Sequence, residues 1–106
     1  MSGSLTLDAY AAASARTSNP SLDASDALMD AASGLAEEAG EVLAHVRKQR
    51  FQARPLDTAA LAEELGDALW CLAAVARGAG LSLGAVASAN LAKLAERHPG
   101  GFGTVS

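Results

Sequence analysis

The sequence predicts an all-α fold, and three observations support this. Half of the residues are hydrophobic but only 4% are aromatic. Much of the apolar share is alanine, the residue with the highest helix propensity. No segment alternates apolar and polar side chains with the period of two that a half-buried strand requires. Prolines fall between the periodic segments and, with a Gly-Ala-Gly break, divide the chain into four helices. A chain of 106 residues suits one compact domain, 1–106, with about 1–4 and 103–106 expected to fray.

The first helix is expected from about Thr6 to Arg16, with Thr6 or Asp8 near its start. Asn19-Pro20-Ser21 follows, where Pro20 removes a backbone donor and biases Asn19 away from helix. A second helix is expected from Ser25 or Asp26 to about Phe51, with an apolar stripe of Leu28, Ala32, Leu35, Ala39, Val42 and Val46. Arg54-Pro55 marks the next break. Asp57 or Thr58 can cap a third helix that runs to about Arg77. Gly78-Ala79-Gly80 stops it. Ser82 is the expected N-cap of a fourth helix ending near Arg97, and Pro99-Gly100-Gly101 closes that one.

Composition excludes several functional classes. The formal net charge is −4, and no basic cluster suits duplex nucleic acid. A single cysteine, Cys71, rules out an intrachain disulfide and a cysteine-based zinc site. The N-terminal stretch lacks the basic start and apolar run of a signal peptide. The longest uncharged run, Gly78 to Ala92, is too short and polar to span a bilayer. A cytoplasmic location without membrane attachment is the resulting expectation. Within the third helix, Ala68 to Ala76 reads ALWCLAAVA, with no charged side chain on any face. A helix apolar all round is normally buried all round. Four short helices cannot supply that cover alone, so the bundle is expected to be completed by oligomerisation.

The acidic residues fall into two pairs. Glu38 and Glu41 are three apart on the second helix, on a stripe with Gly34, His45 and Lys48. Glu64 and Asp67 are three apart on the third, between Ala60, Cys71 and Ala74. Solvated acidic faces are not usually flanked by small and apolar residues. Four carboxylates facing one another would repel, and burying them unpaired is costly. A divalent cation resolves both problems, and oxygen-only ligands suit Mg2+, or Mn2+, better than Zn2+. Glu37 and Glu63 lie one position round and are expected to point outward. His45 is read as a lining residue, and Trp70 as core with its indole N–H at an edge. Asn90, Lys93 and Arg97 share a face of the fourth helix. With Lys48 or its neighbour Arg47, they supply positive charge and an amide for a polyphosphate.

Taken together, the ExxE of residues 38–41, the ExxD of 64–67 after a gap of 22 residues, and the Asn90, Lys93, Arg97, Pro99 ending resemble the MazG-like all-α nucleoside triphosphate pyrophosphohydrolases. The likeness spans roughly Leu5 to Phe102. It implies Mg2+-dependent cleavage of (d)NTP between the α and β phosphates, yielding (d)NMP and pyrophosphate, in a homodimer or homotetramer. Glu38, Glu41, Glu64 and Asp67 match the family's metal ligands, and Glu38 or Glu41 is the expected general base. Lys48, Asn90, Lys93 and Arg97 match its phosphate and nucleotide contacts. Cys71 stands where members often carry an aromatic facing the base, so base preference does not transfer. Tyr10 or Trp70 could supply stacking instead. The rival readings are a phosphoribosyl-ATP pyrophosphohydrolase-like enzyme, a nucleotide-binding relative that does not hydrolyse, and a non-catalytic helical interaction dimer.

Overall fold

The structure, a computed structural model, describes residues 4–101. Four α-helices follow one another, with no strand among the described residues: α1 (Leu7–Ser14), α2 (Ala24–Gln52), α3 (Thr58–Gly78) and α4 (Leu83–Arg97). The fraying expected at the extreme termini falls largely outside the described residues. Side-chain caps set the starts. The Thr6 hydroxyl oxygen accepts from the Ala9 N–H at 3.0 Å, Asp57 from Ala60 at 3.0 Å, and Ser82 from Ala85 at 3.1 Å. α2 begins slightly earlier than expected. Asp23 is its cap, accepting from the Asp26 N–H at 2.8 Å, in preference to Ser25 or Asp26.

α1 also ends early, at Ser14, and the chain tightens into a 3-10 turn over Ala15–Thr17. Asn19 then stabilises the reversal, its Oδ1 accepting from the Ser21 N–H at 3.0 Å. At the end of α3, the Leu81 N–H bonds the Ala76 carbonyl at 2.8 Å and the Gly80 N–H bonds that of Arg77 at 3.1 Å. This is a Schellman closure with Gly80 left-handed at φ 74°. α2 ends differently, on Ala53 at φ 53° and ψ 29°. A left-handed alanine costs about 1–2 kcal/mol, and glycine is the usual occupant there. Ala53→Gly is therefore expected to raise stability by about 1 kcal/mol, read as a higher urea midpoint with an unchanged m-value. A lower midpoint would show that Ala53 is held by packing.

The long helices α2 and α3 form an antiparallel hairpin, and α1 packs across α3 and the start of α4. Ala73, Ala76 and Leu83 are buried there, under Tyr10, Ala11 and Leu69. α4 leaves α3 at 100°, so a single chain does not close a parallel-sided four-helix bundle. The join between α1 and α4 is a second cap. Asp8 accepts from the Ser82 hydroxyl at 2.9 Å and from the Gly84 N–H at 3.0 Å. A Cβ on Gly84 would lie 2.6 Å from the Asp8 carboxylate, so a larger residue would have to displace that carboxylate from its cap. The Gly84 N–H, then the Ser82 hydroxyl, hold the Asp8 carboxyl below its usual 3.8 against partial burial. The folded value lies under the unfolded one. The cap's stabilisation is thus complete above about pH 3.9 and is lost as pH falls through the lowered value. Asp8→Ala is expected to lower the melting temperature by several degrees at neutral pH and to flatten its fall below that range.

The expected apolar stripe of α2 is corrected by rotation about the helix axis. Ala32, Ala39 and Val46 are exposed, and the seam toward α3 carries Ala31, Gly34, Leu35, Glu38, Val42 and His45. The polar stripe that seemed a separate face is part of this seam. Gly34 explains the close approach: a Cβ there would stand 2.9 Å from the Cys71 Sγ. Gly40, by contrast, has nothing within 4 Å of its Cβ position. α3 is not covered all round either. Cys71, Ala73 and Ala76 are buried, but Leu65 and Leu72 are 51% and 42% exposed. The accessible surface is 7780 Å², against about 5,500 Å² for a compact 10.6 kDa monomer. The radius of gyration is 16.7 Å, where about 13 Å would be compact.

Candidate active site

The α2–α3 seam brings the two acidic motifs together. Carboxylate oxygens of Glu38, Glu64 and Asp67 all lie within 4.8 Å of one another. Glu38 and Glu64 are half-buried, and Asp67 is open to solvent. The Glu38 Oε1 is buried with no hydrogen-bond partner, a costly condition for a carboxylate. Burial, then a hydrogen bond to Glu64, then the charges of Glu64, Asp67 and Glu41 hold its carboxyl above the usual 4.5. A set of oxygens that converge and repel, one of them buried without a donor, fits a hard divalent cation. The cation would supply the missing partner.

Glu41 is exposed and stands outside this trio, although its charge still acts on Glu38. Residues three apart on a helix differ by about 60° in direction, so the seam admits Glu38 and leaves Glu41 at the rim. Glu37 and Glu63 are exposed, as their positions implied. His45 reaches across the seam, its Nε2 3.7 Å from the Glu64 Oε2. Cys71 is buried beneath Gly34 at 8% exposure. Burial raises its thiol pKa first, followed by the charges of Glu38, Asp67, Asp30 and Glu37. It therefore lies beneath the acidic cluster in the single chain.

A cleft of about 310 Å³ lies toward the open end of the hairpin. Its wall includes Trp70, Asp30, Asn19, Leu28 and Arg77. The Trp70 indole N–H donates to the Thr17 hydroxyl at 2.7 Å, so the ring is held at the edge of the cleft. Arg77 is engaged too, donating to the Ala11 carbonyl at 3.3 Å and the Ser18 hydroxyl at 3.0 Å. Tyr10 packs instead against the α1–α3 core. Lys48 lines a different cleft at the hairpin turn, with His45 and Arg54. Asn90 and Lys93 line a groove on α4 with Val86 and Ala89, and Arg97 is exposed in the last turn of α4. One chain does not bring these three to the carboxylates. Asp30 and Arg54 were missed from sequence. Asp30 does fall four residues before Gly34 on the stripe of Glu38, a signal that was available. Arg54 had been read only as part of a helix break.

The fold and site define a class of all-helical proteins whose hairpin seam gathers carboxylates from two helices. The chain belongs to the MazG nucleotide pyrophosphohydrolase domain family, whose profile matches residues 28–102, from the second turn of α2 to just past α4. That span holds both acidic motifs and makes the protein a hydrolase of nucleotide pyrophosphate bonds. Comparison with curated proteins and with solved structures found no match. No single helix among the described residues is long and apolar enough to cross a membrane.

Proposed function

We propose that the protein hydrolyses nucleoside triphosphates, ribo- or deoxyribo-, between the α and β phosphates, releasing monophosphate and pyrophosphate in a Mg2+-dependent reaction. The observation that carries this reading is the trio of Glu38, Glu64 and Asp67 around the partnerless Glu38 Oε1. These three would hold the cation, with Glu41 at the rim as the base. A bound Mg2+, or Mn2+, would neutralise phosphate oxygens and polarise the α-phosphoryl group. Glu41, outside the trio and open to solvent, takes the proton of the attacking water. The new bond joins the water oxygen to the α-phosphorus, the bridging bond to the β-phosphate breaks, and pyrophosphate departs. Trp70 offers its ring to the nucleoside in the cleft that it lines.

The second part of the reading concerns assembly. The accessible surface exceeds that of a compact monomer by more than the roughly 800 Å² that each partner buries in a standard interface. Leu91 and Leu94 of α4 are exposed, as are Leu65 and Leu72 of α3. A homodimer or homotetramer that covers them would bring Asn90, Lys93 and Arg97 of one copy toward the carboxylates of another. The proposed setting is the cytoplasmic nucleotide pool. The test is incubation with a panel of NTPs, dNTPs and phosphoribosyl-ATP in Mg2+. Monophosphate plus pyrophosphate from a nucleoside triphosphate is expected. Orthophosphate as the initial product, no turnover, or turnover of phosphoribosyl-ATP alone would overturn the reading.

A further inference from the structure

The closed end of the α2–α3 hairpin holds a cleft of about 490 Å³, lined by His45, Lys48, Arg54, Pro55, Leu56 and Asp57. In a chain of net charge −4, this cleft has a cationic lining. Asp57 is its one carboxylate, and that group is committed to capping α3 through the Ala60 N–H. The N-terminus of α3 adds partial positive charge at the same place. Arg47 and Arg50 are occupied elsewhere, their guanidinium carbons 5.9 and 5.2 Å from the Phe51 ring centre. Lys48 and Arg54 have no ion pair or side-chain hydrogen bond among the described residues. The left-handed Ala53 turns the chain off the helix axis, and Arg54 then lines the same cleft as Lys48.

His45 links this cleft to the carboxylate trio. It belongs to the cleft wall and also lies 3.7 Å from Glu64. Lys48 follows His45 by one turn, about 4.5 Å of helix rise. The opposite cleft, beside Trp70, has a different character. Its arginine, Arg77, is already hydrogen-bonded, and Asp30 adds negative charge. An aromatic, weakly charged group suits that end, and a polyphosphate suits the other.

We infer that the cleft at the hairpin turn is the subsite for the leaving pyrophosphate, clamped by Arg54 together with Lys48, and that substrate therefore lies along the hairpin with its nucleoside toward Trp70. This rests on the hydrolytic reading above and gives it a direction. Arg54 is suited to the task because its planar fork matches two phosphate oxygens at once, whereas lysine offers a point charge.

The test is calorimetric titration of the full chain with pyrophosphate and, separately, with a nucleoside monophosphate, each with Mg2+ and with EDTA. Arg54→Gln is expected to weaken pyrophosphate binding by about tenfold or more and to leave monophosphate binding unchanged. Arg54→Lys is expected to fall between, and circular dichroism checks that each variant keeps its helices. Unchanged pyrophosphate affinity in Arg54→Gln, or an equal loss for monophosphate, would overturn the assignment. The two readings fail separately. Tight pyrophosphate binding that depends on Arg54 upholds the subsite even if no nucleotide is turned over. Turnover with pyrophosphate inhibition indifferent to Arg54 upholds hydrolysis and removes the subsite.

Discussion

Glu38→Gln is expected to melt higher than the native protein in metal-free buffer and yet to turn over no nucleotide. The native Glu38 carboxylate shares a space with Glu64 and Asp67, all within 4.8 Å, and its Oε1 has no donor. Burial and the neighbouring negative charges disfavour its ionised form. Glutamine keeps the shape, removes the charge and can donate a hydrogen bond to a neighbouring carboxylate. The sign with pH follows from linkage. The folded value lies above the usual 4.5, so the unfolded chain releases this proton first. The metal-free native protein therefore loses stability as pH rises from about 4.5 through the raised value, and Glu38→Gln does not. The gap in melting temperature should open over that range and be absent below it. Added Mg2+ reverses the order, because a ligand that binds the native state stabilises it, and the variant has lost a ligand. Turnover should drop at least about a thousandfold. A variant that melts lower without metal and still hydrolyses nucleotide would make Glu38 a structural residue.

The helix limits were legible because their signals are local. Thr6, Asp57 and Ser82 each cap from the position where a side-chain oxygen precedes an apolar run, and Gly80 ends α3 from the place its sequence marks. The rotation of α2 was not legible. Ala31, Ala32 and Ala39 have the same side chain, so hydrophobic periodicity alone cannot say which of them meets α3. The Asp8 cap on Ser82 and Gly84 joins residues more than seventy positions apart and has no local signature. The direction of α4 depends on that contact, so the grouping of Asn90, Lys93 and Arg97 could be read while their distance from the carboxylates could not. The acidic trio was legible for a chemical reason: carboxylates between Ala60, Gly34 and Cys71 have no business on a solvated face. What the spacing could not decide was which member of the ExxE pair the seam would take.

Gly34 sets how close the two acid-bearing helices come, and replacing it should show this in stability and in metal binding together. Two effects oppose each other in Gly34→Ala. Alanine gains about 1 kcal/mol of helix propensity over glycine. Its methyl would also sit 2.9 Å from the Cys71 Sγ, well inside the roughly 3.5–4.0 Å of a comfortable contact. Overpacking a buried seam costs about 1–3 kcal/mol, so the net result is a loss of up to about 2 kcal/mol. Cys71 is 8% exposed and its Sγ is the atom that the new methyl would meet. Cys71→Ala alone should also destabilise, through the cavity left by the sulfur. In the double variant the new methyl occupies the space the sulfur vacates, so the two losses should cancel in part, with a favourable coupling of about 1–2 kcal/mol by urea denaturation. The functional readout follows the same pattern. Gly34→Ala shifts α2 against α3 and moves Glu38 relative to Glu64 and Asp67, so the gain in melting temperature on adding Mg2+ should shrink, and it should return in the double variant. Gly34→Leu, too large for any rotation of Cys71 to accommodate, should remove the Mg2+ response altogether. If Gly34→Ala is instead more stable than the native protein, propensity has won, and the separation of the acidic motifs is set elsewhere along the seam.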